Sequence, residues 1–173
     1  MNDMKSTPGP PSLKQAWKAF GLKCLFTALF LVLLTSVFFG VQQADDGHMA
    51  PAVKAGDLIF FDRLDHSYVS GDLVMVNQKQ GMEARRVVAA AGDTVDLTEE
   101  GLVINGYLQQ EDEIYTETLP FQDGIRFPIK VPKGKIFVLA DDRTHASDSR
   151  LYGCVSLRSV QGKVITIIRR RNF

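Results

Sequence analysis

The sequence predicts an all-β domain carried behind a single membrane-spanning helix. Three observations lead there. An uncharged apolar run of 18 residues, Cys24 to Val41, lies near the N-terminus. After residue 44 the apolar residues fall into short runs of strand length. Glycine-containing turns separate those runs, and no amphipathic pattern of helical length follows.

Taken in order, residues 1–16 read as a cytoplasmic tail. Pro8, Pro10 and Pro11 lack the N–H that a helix needs, and there is little apolar surface to bury. The apolar run would cover roughly 27 Å as a helix, near the hydrocarbon thickness of a bilayer. Trp17, Phe20 and Leu22 extend it, so the expected anchor spans residues 17–43. A cleaved signal peptide is the alternative, but Gly40 to Ala44 make a poor small-x-small cleavage site. Four lysines (5, 14, 18 and 23) and one acid, Asp3, lie within the first 43 residues. The remainder holds 16 of 20 basic and 19 of 20 acidic residues, a net of −3. Lysines before the run and Asp45-Asp46 after it predict a single-pass protein of the cell membrane. Its N-terminus is expected in the cytoplasm and residues 44–173 outside.

Composition excludes one class. The formal net charge is +0 and no basic face is interleaved with aromatics, so no nucleic-acid partner is expected. Cys24 and Cys154 lie far apart, which leaves core burial rather than a disulfide to hold the fold. No Cys/His spacing suggests a metal, and no cofactor is expected.

Within 44–173, residues 57–62 and 72–76 are strand-length runs, each preceded by a Gly or Gly-Asp turn. Residues 86–91, 102–104, 136–139 and 164–168 are four more. Asn105-Gly106 is the clearest hairpin signal, since that pair accepts the positive φ of a type I′ turn. Residues 109–130 are polar, acidic at the start and broken by Pro120 and Pro128. They read as a small excursion from the β core, or as a module for partner contact. Arg169-Arg170-Arg171 read as a solvated terminus or as a contact to phosphate headgroups.

Three segments carry chemistry: Gly47-His48-Met49-Ala50-Pro51-Ala52, Arg85-Arg86-Val87-Val88 through Gly92-Asp93, and Ala140 through Gly153. Together they resemble type I signal peptidases, the peptidase S26 family of membrane-anchored serine proteases. The family patterns are roughly S-x-M-x-P-T, K-R-V-x-G-x-P-G-D and G-D-N-R-x-x-S-x-D-S-R-x-x-G. The resemblance implies a twisted antiparallel signal-peptidase-type β-sheet domain. In register it sets Met49, Pro51, Arg86, Asp141, Arg143, Asp148, Ser149 and Arg150 as the frame of a binding cleft.

The family chemistry is a Ser–Lys dyad. A serine hydroxyl needs a base, and a lysine serves only when burial keeps it neutral. The resemblance places His48 at the serine, Arg85 at the lysine and Ala146 at the lysine-orienting serine. Asp46 falls where some members have an oxyanion-hole serine. Arginine stays protonated in proteins and cannot be that base. Alanine orients nothing, and His48 has no evident partner in the sequence. Ser147 and Lys79 do not fit the missing roles. His66 and His145 read as surface or loop histidines.

The frame is kept and every chemical position is replaced. Arg143, Asp148 and Arg150 read mainly as braces under the cleft. The resemblance is nearest to the noncatalytic signal-peptidase-like proteins of Gram-positive bacteria that assist assembly of sortase-linked pili. It implies as partners an exported protein or pilin peptide segment, the sortase machinery and the membrane. The alternative is an active type I signal peptidase that works through other residues.

Overall fold

The computed structural model describes residues 12–78 and 81–169. The proline-bearing start, Lys79 and Arg170-Arg171 lie outside them.

Helix α1 runs from Leu13 to Phe38, about 39 Å at helical rise. Its apolar side chains, Trp17, Phe26, Phe30 and Leu33 among them, are exposed all around. A helix apolar on every side with no protein cover suits lipid and does not suit the core of a soluble domain. Two hydroxyls near its end are satisfied within the helix: Thr35 donates to the Leu31 carbonyl at 2.9 Å and Ser36 to that of Leu33 at 2.9 Å. The helix is compatible with a single-pass anchor.

The expected span of 17–43 is corrected at both ends. The helix begins at Leu13, and Phe39–Gln43 form strand β1. The reason is pairing: β1 lies antiparallel to β2, Leu58–Asp62, with Gly40 opposite Phe61. Gly40 has no side chain because the Phe61 ring occupies that space, 2.0 Å from where a Cβ would stand.

The other strands are β3 (Leu73–Gln78), β4 (Gly81–Ala89), β5 (Thr94–Thr98), β6 (Gly101–Ile104) and β7 (Tyr107–Leu108). Then come β8 (Ile129–Lys130), β9 (Lys135–Leu139), β10 (Val155–Ser156) and β11 (Val160–Ile168), with a single helical turn α2 at Ser149–Tyr152. All strand pairs are antiparallel. Seven strands form one sheet, β1-β2-β11-β3-β4-β9-β10, and four form a second, β7-β6-β5-β8. The all-β expectation holds. Asn105 and Gly106 both take positive φ, 54° and 84°, in the two-residue link between β6 and β7.

Three apolar clusters fill the domain. Met49, Ile59, Phe61, Met75, Ala84 and Ala146 form one. Val74, Val76, Val87, Ile136 and Val138 form a second. Val95, Leu97, Leu102, Phe137 and Leu139 form a third, under the small sheet. Val74 and Met75 are both buried although they face opposite ways, so β3 is covered on both sides.

Strand β11 is bulged between Val160 and Gly162 where it crosses β3. A Cβ at Gly162 would stand 2.2 Å from the Asp62 carbonyl oxygen, and its φ is 159°. Backbone cannot yield as a flexible side chain can, so Gly162→Ala is expected to cost about 2 kcal/mol. Denaturant unfolding of the detergent-solubilised protein checks this against Gly47→Ala, where an added methyl meets nothing within 4 Å. Equal midpoints for the two variants would refute it.

Candidate functional site

The three motifs converge through backbone as well as side chains. The Asp142 N–H donates to the His48 carbonyl at 2.9 Å, joining the first motif to the third. Arg85 donates from Nε and Nη2 to the Ser147 carbonyl at 3.2 and 2.9 Å, joining the second to the third. Arg86 meets Asp141 through two parallel bonds of 2.8 and 2.6 Å. That fork geometry is the strong form of an arginine–carboxylate contact, and it raises the Arg86 guanidinium above its ordinary value. Met49, Ala84, Ala140 and Ala146 pack in one cluster between these links.

Alternation along β4 separates the two arginines, so Arg85 and Glu83 share one side and Arg86 and Ala84 the other. Arg85 is 1% exposed. Its Nη2 donates to Glu83 at 2.6 Å and its Nη1 to the Ala84 carbonyl at 2.7 Å. Asp46, a natural counter-ion for Arg85 from the sequence, does not meet it. Asp46 instead accepts the His48 N–H at 3.0 Å and places its other oxygen 2.8 Å from His48 Nδ1. The absence of a partner for His48 is thus corrected: the short Asp46-Gly47-His48 turn supplies one. The contact is close but not aligned, because Nδ1 is buried and makes no hydrogen bond. His66 and His145 are exposed, as expected.

The Asp-Ser-Arg segment is buried throughout: Asp148, Ser149 and Arg150 are at most 1% exposed. Asp148 caps α2 by accepting the Arg150 N–H at 3.0 Å and also accepts the Ala140 N–H at 3.2 Å. Ser149 Oγ accepts the Val138 N–H at 3.0 Å, closing the free side of β9. Arg150 holds Asp148 and donates to the carbonyls of Arg143 and Leu119 at 2.7 and 3.0 Å. Its guanidinium lies 4.4 Å from the Phe121 ring centroid. Arg143 forks onto Glu111 at 2.8 and 2.6 Å and donates to Thr118 and to the Ala140 carbonyl. Residues 109–130 therefore form an excursion that the two arginines tie down. Glu111, Thr118 and Phe121 are functional partners that sequence reading missed, because nothing local marks a contact across some 30 residues. Glu83 was missed as well, although its place two residues before Arg85 on one strand was a signal that could have found it.

Beside the Met49 cluster opens a cavity of about 170 Å³, lined by β1's end and Ala44 to Asp46, by Ile59 and Met75, and by Gly81 to Ala84. The loop that carries His48 is latched from the far end of the chain. Arg169 donates to the Pro51 and Ala52 carbonyls at 3.2 Å each and meets the buried Asp57 at 3.4 Å. Tyr152 lies on the Arg85 side. Covering of its hydroxyl pushes it up to about 12, against the opposing pull of the Arg85 charge.

The chain matches the family "Signal peptidase, peptidase S26" over residues 17–168. It belongs to that family. Among similar proteins, signal peptidase I P of Bacillus subtilis subsp. natto is 29% identical over 141 residues, 75% of this chain and 76% of that one. Signal peptidase I of Bacillus licheniformis is 30% identical over 162 residues, 87% of this chain and 84% of that one. A crystal structure of a signal peptidase I from Enterococcus faecalis aligns with a TM-score of 0.47 and 27% identity, over 58% of this chain and 97% of that one. In this signal peptidase family member the motif segments meet at one place, and among the described residues the contacts that join them are made by Arg85, Arg86 and backbone groups.

Two expectations follow. Arg143→Met removes both arginine bonds to Glu111, leaving it only the Thr118 hydroxyl, and should cost about 3 kcal/mol. Hydrogen exchange should accelerate across 109–124 while β3 and β4 stay protected; uniform acceleration would contradict the tethering. Tyr152 stays protonated above 10, the value it takes in an unfolded chain, so its stabilising share is lost as pH rises toward 12. Absorbance titration near 295 nm should lose its latest-ionising phenol in Tyr152→Phe, and an unchanged final phase would refute the assignment.

Proposed function

We propose that this protein is a membrane-anchored, noncatalytic signal peptidase homologue that binds an extended segment of an exported protein. The observation that carries the reading is the occupancy of the base position by Arg85. A protonated guanidinium, buried and bonded to Ser147 and Glu83, cannot take a proton from a nucleophile. Ala146 lies in an apolar cluster where the family chemistry needs a hydroxyl. His48 stands at the serine position. The binding frame, in contrast, is fully bonded: Arg86–Asp141, Arg143 and Asp148–Arg150.

On this reading the N-terminus is cytoplasmic, the β domain is extracytoplasmic, and the bound partner is a pilin subunit during assembly of sortase-linked pili. The pilin role comes from the likeness to the Gram-positive signal-peptidase-like assembly factors. Deleting the gene should abolish pilus polymers and leave bulk secretion intact; normal pili in the deletion strain would end it.

A second reading has one observation in its favour. Asp46 lies 2.8 Å from His48 Nδ1, and a small rotation that aligned the two would orient the imidazole for acyl transfer, which would make the protein an active peptidase. Full-length protein in detergent micelles with a signal-peptide-bearing preprotein separates the two. No cleavage is expected, and none from the His48→Ser, Arg85→Lys double variant, because Ala146 leaves the new lysine unoriented. Cleavage by the wild type that disappears in His48→Ala would favour the second reading.

A further inference from the structure

The seven-stranded sheet is left unpaired on both sides of the cavity. Among the described residues β1 pairs only with β2, so its outer edge is open. Strand β4 pairs with β9 only from Arg86 onward, which leaves Gly81 to Arg85 with β3 as their sole sheet partner. The cavity is lined from one side by the end of β1 and from the other by the start of β4, with Ile59 of β2 and Met75 of β3 between them. The sheet thus curves so that its two open edges border one gap. An extended chain lying there would find strand edges without a second sheet partner on either hand, the condition for strand addition, although the Ala84 carbonyl is already held by Arg85.

The chemistry of the lining is specific. The floor is apolar and carries three methionines, Met49, Met75 and Met82, whose unbranched thioethers adapt to a long aliphatic stem. The rim carries two carboxylates, Asp45 and Asp46, while the Glu83 side chain turns to Arg85 on the other face of β4. Among the described residues no lysine or arginine lines the cavity. Asp46 faces His48, while among the described residues no side-chain contact engages Asp45. An aliphatic stem that ends in a cation fits such a lining: the stem lies over the methionines and the head reaches the rim.

We infer that the cleft binds an extended peptide through a lysine side chain, seated over Met49, Met75 and Met82 with its ammonium toward Asp45 and Asp46. This rests on the binding reading above and names the chemistry of the bound segment. A small apolar residue would leave the carboxylates unpaired, and an acidic one would be repelled by them.

The test uses full-length protein in detergent micelles and three fluorescein-labelled heptapeptides of alternating Val and Thr. They differ only at the central position: lysine, norleucine or glutamate. Fluorescence anisotropy should show the lysine peptide binding about fivefold tighter than the norleucine peptide, the scale of a partly exposed ion pair. Added salt should narrow the gap. Asp45→Asn and the Asp45→Asn, Asp46→Asn double variant should shrink the ratio between the lysine and norleucine peptides toward one. Equal binding of lysine and norleucine peptides overturns the inference while leaving peptide binding intact. A lysine preference that survives both variants overturns it as well, because recognition then lies elsewhere. Failure of all three peptides to bind overturns this inference and the binding reading together.

Discussion

Burial of three guanidinium groups is the constraint on which the rest of the domain depends. Arg85, Arg143 and Arg150 are the largest fully buried side chains. Removing a charge from water costs several kcal/mol even after relaxation, and the cost is offset only when nearly every donor finds an acceptor. Each of the three meets that condition with a carboxylate plus backbone carbonyls. The acceptors come from distant parts of the chain, so the three side chains fix the backbone of one another's loops.

This arrangement separates the frame of the site from its chemistry. Asp148 and Ser149 terminate β9 and cap α2, Arg150 and Arg143 hold the excursion, and Arg86 anchors Asp141. None of these bonds needs a nucleophile or a base. Changes at His48, Arg85 and Ala146 therefore leave the cleft standing. Ala146 joins the apolar cluster, and Arg85 becomes a further brace through Ser147. Proteolysis and peptide binding make separable demands on such a fold: one needs a neutral amine beside a hydroxyl, and the other needs open strand edges over an apolar floor.

The same bonding explains why the cleft has a defined shape. Its walls are short of sheet partners, and such edges are ordinarily mobile. Here Asp57 fastens the loop after β1 to Arg169, and the Glu83–Arg85 pair fastens the start of β4 to the third motif. Unpaired edges are thereby held apart at the rim of the gap.

Much of this was legible in the chain itself. The uncharged run required a lipid-sized helix, the short runs and turns required β structure, and Asn105-Gly106 required its hairpin. The family resemblance set His48, Arg85 and Ala146 at its chemical positions and read Arg143 and Arg150 as braces, and both arginines are indeed buried and bonded. Other features were not local. The helix stops at Phe38 where residues 39–43 pair with β2, a contact from another strand. Asp46 turns to His48 and Arg85 to Glu83 because strand alternation and a tight turn set their directions. Glu111, Thr118 and Phe121 join the frame only when the excursion folds back onto it. Sequence determines which groups are present; which of them share an ion pair is decided by the tertiary structure, since the energy of a buried charge depends on acceptors brought from far along the chain.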